Sequence, residues 1–121
     1  MSQEQIRQNQ RYYFQNKSQF IVKVEMSAGR FVECMVSDIS VSGVCIILDK
    51  QVFLARGKEY PLEIIEKLPD GNLETVTQIK GTVIWNLTKD FRNLEMIFMG
   101  IQFQNLISLP NSVISEEEVS I

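Results

Sequence analysis

The chain has 121 residues, enough for one domain and short for two. Apolar residues make up 45% and charged residues 22%, which excludes wholesale disorder, collagen-like repeats and a disulfide-dense scaffold. The net charge of −3 disfavours a protein that grips long nucleic acid by bulk charge, and the lack of histidine removes the commonest general base and zinc ligand.

The N-terminal stretch Met1-Ser-Gln-Glu-Gln-Ile-Arg-Gln-Asn-Gln has no apolar core and does not read as a signal peptide. No apolar run approaches the ~18 residues that span a bilayer. A cytoplasmic protein is the expectation. Cys34 and Cys45 each stand in an apolar run and are expected as buried free thiols. Two cysteines cannot build a zinc site alone, and nothing marks the chain as secreted and disulfide-bonded.

Residues 1–17 are polar and locally positive, with Arg7, Arg11 and Lys17 against Glu4. They lack an apolar face, so loop, short helix and mobile terminus all remain open. From Phe20 the pattern turns to period two, with Phe20, Val22, Val24 and Met26 on one face, as in a half-buried strand. Ser27-Ala28-Gly29 supplies a turn, and Phe31 to Val36 pairs back as a hairpin. Asp38 to Gly43 reads as a turn cluster in which Gly43 takes a positive φ. Val44 to Leu48 is an apolar strand, and residues 49–58 form a connection.

Tyr60 to Ile65 is the next strand, and Pro61 near its start assigns it to an edge. Pro69-Asp70-Gly71 is a turn. A long strand follows from Leu73 to Trp85, with Gly81 marking a bulge or bend and Trp85 expected in the core. Leu87 to Asn93 reads as a polar loop. Leu94 to Phe103 is the last strand, interrupted at Gly100. Residues 108–121 admit a short helix, with Ser115 and Glu118 spaced as a capping box. Six short antiparallel strands imply an all-β barrel or sandwich, and barrel closure hides the strand edges. The domain plan is an arm over 1–17, a barrel over 18–106 and a tail over 107–121.

Catalysis is poorly supported. Ser40, Ser42 and the cysteines have no histidine to activate them, and there is no nucleophile elbow, Walker loop or dinucleotide fingerprint. The carboxylates at 116–118 read as a solvated helix face. We expect no enzyme, no metal and no cofactor.

Two short motifs carry more chemistry. Arg7 and Arg11 offer two planar guanidiniums that can fork onto phosphate or onto the O6/N7 edge of guanine. Alone, they read as solvated arginines on a tail. In Asp38-Ile39-Ser40-Val41-Ser42-Gly43, an ionised carboxylate can accept from a guanine N1–H and N2–H₂ edge, a hydroxyl can bond phosphate or base, and a glycine admits close approach. Alone, this is an ordinary turn.

Together, Arg7-x-x-x-Arg11 followed by Asp38-x-Ser40-x-x-Gly43 resembles the PilZ domain, a family of bacterial cyclic di-GMP receptors. The resemblance covers roughly residues 6–104, and Gly81-Thr-Val-Ile-Trp85 and Gly100-Ile-Gln-Phe103 echo the family's later strands. It implies a six-stranded antiparallel barrel, with a flexible arm that wraps the ligand and often a helix after the barrel. Arg7 and Arg11 would contact guanine edges and phosphates, Asp38 and Ser40 a guanine, and Gly43 would allow the close turn. Ile6 stands where many members carry another basic residue, which favours one ligand per chain. The family's role implies control of motility or biofilm formation. A standalone module would signal through an unidentified protein partner, ligand binding ordering the arm over the barrel.

Two alternatives are a PilZ-like adaptor of motility or pilus assembly that binds no nucleotide, and a barrel resembling an OB-fold that binds single-stranded nucleic acid. The arginine pair disfavours the first, and the acidic balance disfavours the second.

Overall fold

The computed structural model describes residues 12–14, 20–27, 29–49, 52–110 and 113–115. Among the described residues there are eight strands: β1 (Tyr12–Phe14), β2 (Phe20–Ser27), β3 (Arg30–Ile39), β4 (Gly43–Asp49), β5 (Glu59–Lys67), β6 (Leu73–Phe91), β7 (Leu94–Phe103) and β8 (Val113–Ser115). Six of them close a ring of antiparallel pairs in the order β2-β5-β6-β7-β4-β3, and the β3–β2 pairing completes the circle. Closure gives every long strand two neighbours and removes the open edges that invite aggregation. The expected six-stranded barrel is therefore the architecture. β1 continues from β3 on the side that β2 leaves free, with Tyr12 opposite Ile39, and β8 pairs with β1.

Alternation builds the core. Phe20, Val22 and Val24 of β2, Val36 and Ile39 of β3, Ile46 and Leu48 of β4, and Met99 and Ile101 of β7 all point inward and are buried. Each completely buried residue of this size contributes about 1.5–3 kcal/mol of transfer free energy. The connection before β5 also contributes: Leu54 is fully buried, and the Tyr60 hydroxyl accepts from the Ala55 N–H at 2.7 Å. Cys34 and Cys45 are both buried thiols outside any disulfide, as expected.

Several boundaries differ from the sequence reading. The turn between β3 and β4 is only Ser40-Val41-Ser42, because Asp38 still lies in β3 and Gly43 already in β4. Leu87 to Phe91 is strand, not loop, and β6 reverses into β7 at Arg92 and Asn93, both at positive φ of 51° and 66°. Consecutive positive φ values match the twist of the flanking strands, so a two-residue turn suffices. Pro61 does not mark an edge, since β5 lies between β2 and β6. The β2 ladder stops at Leu62, so the missing Pro61 N–H breaks no rung on that side. No helix occurs among the described residues, and the described part of the tail is the strand β8. β1 likewise falls in a stretch that the sequence left open. The Pro69-Asp70-Gly71 turn forms as read, with the Gly71 N–H on the Leu68 carbonyl and the Asn72 N–H on Asp70 Oδ1, both at 2.9 Å. No helix among the described residues is long and apolar enough to cross a membrane.

Candidate functional site

The outer wall of the barrel carries one row that departs from regular sheet. Asp38 of β3 is opposite Cys45 of β4, Cys45 is opposite Gly100 of β7, and Gly100 is opposite Trp85 of β6. Neighbouring strands stand about 4.8 Å apart, so the row crosses the wall over about 14 Å. A β-bulge lies on each side of it. In β3 the register shifts between Val36 and Asp38, making Ser37 the extra residue; in β6 it shifts between Val83 and Trp85, making Ile84 the extra residue.

These bulges decide what faces outward. Val36 and Val83 point into the core. Simple alternation from them would turn residues 38 and 85 inward as well. One added residue in each strand reverses the phase, so Asp38 and Trp85 face out while Ile39 remains buried in the core. Trp85 is therefore half-buried on the wall and not part of the core, contrary to the sequence expectation. Gly81 was expected to mark a bulge or a bend; its register runs unbroken, so it is not a bulge, and Gly100 does not interrupt β7. Gly100 instead makes room for the indole. Any Cβ there would collide with Trp85 Nε1 and Cε2.

The turn beside Asp38 is held from within. Ser40 is buried, at 8% exposure. Its Oγ accepts from the backbone N–H of Ser42 at 3.3 Å and of Gly43 at 3.2 Å, and it lies 3.2 Å from Ser42 Oγ. The Ser40 N–H donates to the Gly43 carbonyl at 2.8 Å. The neighbouring chain clamps the same turn: the Phe103 N–H donates to the Ser42 carbonyl at 2.8 Å and the Ile107 N–H to the Val41 carbonyl at 2.9 Å. Gly43 does not take the expected positive φ. It is needed because a Cβ would collide with the backbone carbonyl oxygen of Ile101 on β7.

Of the six residues singled out in the sequence, Asp38, Ser40 and Gly43 come together at the end of the β3–β4 hairpin. Ile6, Arg7 and Arg11 lie outside the described residues. Arg11 is one peptide bond from Tyr12, and Tyr12 is opposite Ile39, the neighbour of Asp38. Sequence reasoning missed Cys45, Gly100 and Trp85 as members of one outer row. Their signal lies in register, which no local motif encodes.

The PilZ domain family model matches residues 5–114. The chain belongs to the PilZ domain family. Solved PilZ structures share its fold. The PilZ domain with c-di-GMP of YcgR from Escherichia coli aligns with a TM-score of 0.58 at 14% identity, over 82% of this chain and 79% of that one. PlzA from Borreliella burgdorferi, in complex with c-di-GMP, aligns with a TM-score of 0.55 at 9% identity, over 78% of this chain. The alignment spans 39% of the PlzA chain and leaves the rest of PlzA uncovered. A comparison with curated proteins gives no match. At these identities the structural likeness is one of fold.

Proposed function

We propose that this PilZ domain is a cyclic di-GMP receptor and that the ligand lies on the outer row from Asp38 to Trp85. The observation that carries this reading is the pair of bulges, which present a carboxylate and an indole on one wall of a family barrel. Asp38 accepts from the N1–H and N2–H₂ edge of a guanine. Trp85, laid over Gly100, gives a purine a flat face to stack on, worth about 1–3 kcal/mol per base. Ser40 acts chiefly by fixing the turn beside Asp38, and Gly43 by letting β4 pass close to β7.

Tyr12 pairs with Ile39 beside Asp38, Arg11 directly precedes Tyr12 in the sequence, and Arg7 stands four residues earlier. Their guanidiniums supply charge-assisted contacts to phosphate and guanine that lysine geometry does not reproduce. Binding bridges arm and barrel, so it favours the arrangement in which the arm is closed on the wall. The closed arm then offers a changed surface to a protein partner. PilZ relatives solved with c-di-GMP support the ligand class.

Calorimetric titration with cyclic di-GMP, beside GTP and GMP, tests the reading. Selective, saturable binding is expected, with a loss of about tenfold or more in Arg11→Ala and in Asp38→Ala, as for one bidentate guanine contact of about 1–3 kcal/mol. Absence of binding by both calorimetry and a second method overturns the receptor assignment. Equal proteolysis of the arm with and without saturating ligand overturns the closure step alone.

A further inference from the structure

One cation on the same wall has no role in the motifs above. Beyond Trp85, the outer face of β6 continues through Leu87 and Lys89, and the facing residues of β7 are Phe98 and Met96. Lys89 is directly opposite Met96, yet its side chain leans diagonally, with Nζ 5.1 Å from the centroid of the Phe98 ring. Phe98 is the next outward residue after Gly100 on β7, one strand repeat or about 7 Å away. The ammonium is thus drawn back along the wall toward the row that Trp85 and Gly100 floor. A cation over an exposed ring gains about 0.5–1 kcal/mol, which orders the long side chain in that direction.

On the same outer face, Asp49 of β4 is opposite Met96 and so stands two strands from Lys89. Lys89 forms no ion pair with a described residue. Asp90 and Glu95 oppose each other on the next rung, and strand alternation assigns them to the other face of the β6–β7 ribbon. A nucleotide whose base stacks on the Trp85 indole carries its phosphate one ribose away from that base. Along the outward residues of β6 beyond Trp85, the first positive charge is Lys89.

We propose that Lys89, held over Phe98, is a phosphate-directed positioning residue for the half of the dinucleotide farther from Asp38. This rests on the reading that the outer row binds cyclic di-GMP. The phosphate of that half then meets the Lys89 ammonium, so affinity has a separable electrostatic part at this end of the row.

The test compares wild type, Lys89→Met, Lys89→Arg and Lys80→Met by calorimetry with cyclic di-GMP at low and high salt. Lys80 lies elsewhere, lining a groove of about 540 Å³ with Pro61, Leu62 and Gln104. Lys89→Met retains the packing of an unbranched chain but loses the charge. It is expected to weaken binding about threefold to tenfold at low salt, to flatten the salt dependence, and to lower the thermal midpoint by no more than a few degrees as the cation–π contact is lost. Lys89→Arg is expected to restore most of the affinity, and Lys80→Met to match wild type. If wild type binds and Lys89→Met shows the same affinity and salt dependence, the role of Lys89 is wrong while the receptor reading stands. If Lys89→Met and Lys80→Met weaken binding equally, the effect is general charge and the inference also fails. If wild type does not bind at all, the receptor reading itself has failed.

Discussion

The two faces of β4 and β7 are built under different rules. Inward, Ile46, Leu48, Met99 and Ile101 alternate regularly and are all buried in one core. Outward, Cys45 and Gly100 stand between two bulges, with an indole lying across the glycine. The inner face is fixed by bulk hydrophobic burial, which tolerates many sequences of similar volume. The outer row is fixed by single residues at single positions: one extra residue in β3, one in β6, and no side chain at 100. The two faces should therefore respond differently to substitution, the inner in stability and the outer in what the wall presents.

The sharpest contrast is between adjacent isoleucines. Ile46→Ala empties a fully buried site and is expected to cost about 2–5 kcal/mol in denaturant unfolding. Ile47→Ala, on the half-buried outer face one residue later, is expected to cost about 1 kcal/mol. Equal losses would mean that the outer face is part of the core. Gly100→Val comes next. Its side chain must displace the indole, at an expected cost of about 1–3 kcal/mol, with Trp85 emission shifted to the red as the ring enters water. An unshifted spectrum would show that the indole is held by something other than the glycine.

Ser40→Ala removes the acceptor for two backbone N–H groups in the turn and is expected to cost about 1–2 kcal/mol. The effect that is smallest at neutral pH, and grows only above pH 9, concerns Cys34. Burial pushes its thiol from the ordinary 9.0 up to about 12. The folded state keeps the proton that the unfolded chain releases above 9.0, so this contribution is complete below that pH. It is lost progressively as pH rises through the folded value. Cys34→Ser is expected to flatten the fall in stability between pH 9 and 11, and an unchanged slope would assign that fall to other groups.

The barrel was legible because its core repeats every two residues. Phe20-Val22-Val24 and Ile46-Leu48 announce their faces without help from any partner strand. The turn at Asp70 was legible because proline, aspartate and glycine each act locally. The reading failed where a distant partner decides. Leu87 to Phe91 looks like loop by composition, yet β7 holds it in strand rung by rung. Trp85 looks like core by its size and by its spacing from Val83, and one extra residue, Ile84, turns it outward. Pro61 looks like an edge, and ring closure encloses it. Half of the candidate site was likewise legible as a motif, in Asp38, Ser40 and Gly43. The row that extends it across β4, β7 and β6 exists only in the register.

Trp85 is the chain's only tryptophan, so its fluorescence reads one position of that row. The decisive measurement is a titration of the full chain with cyclic di-GMP, followed by tryptophan emission and by calorimetry on the same sample. Saturable quenching of Trp85, with the same midpoint as the heat of binding, is the expected result. Calorimetric binding with no change in Trp85 emission would contradict the placement of the ligand on this wall.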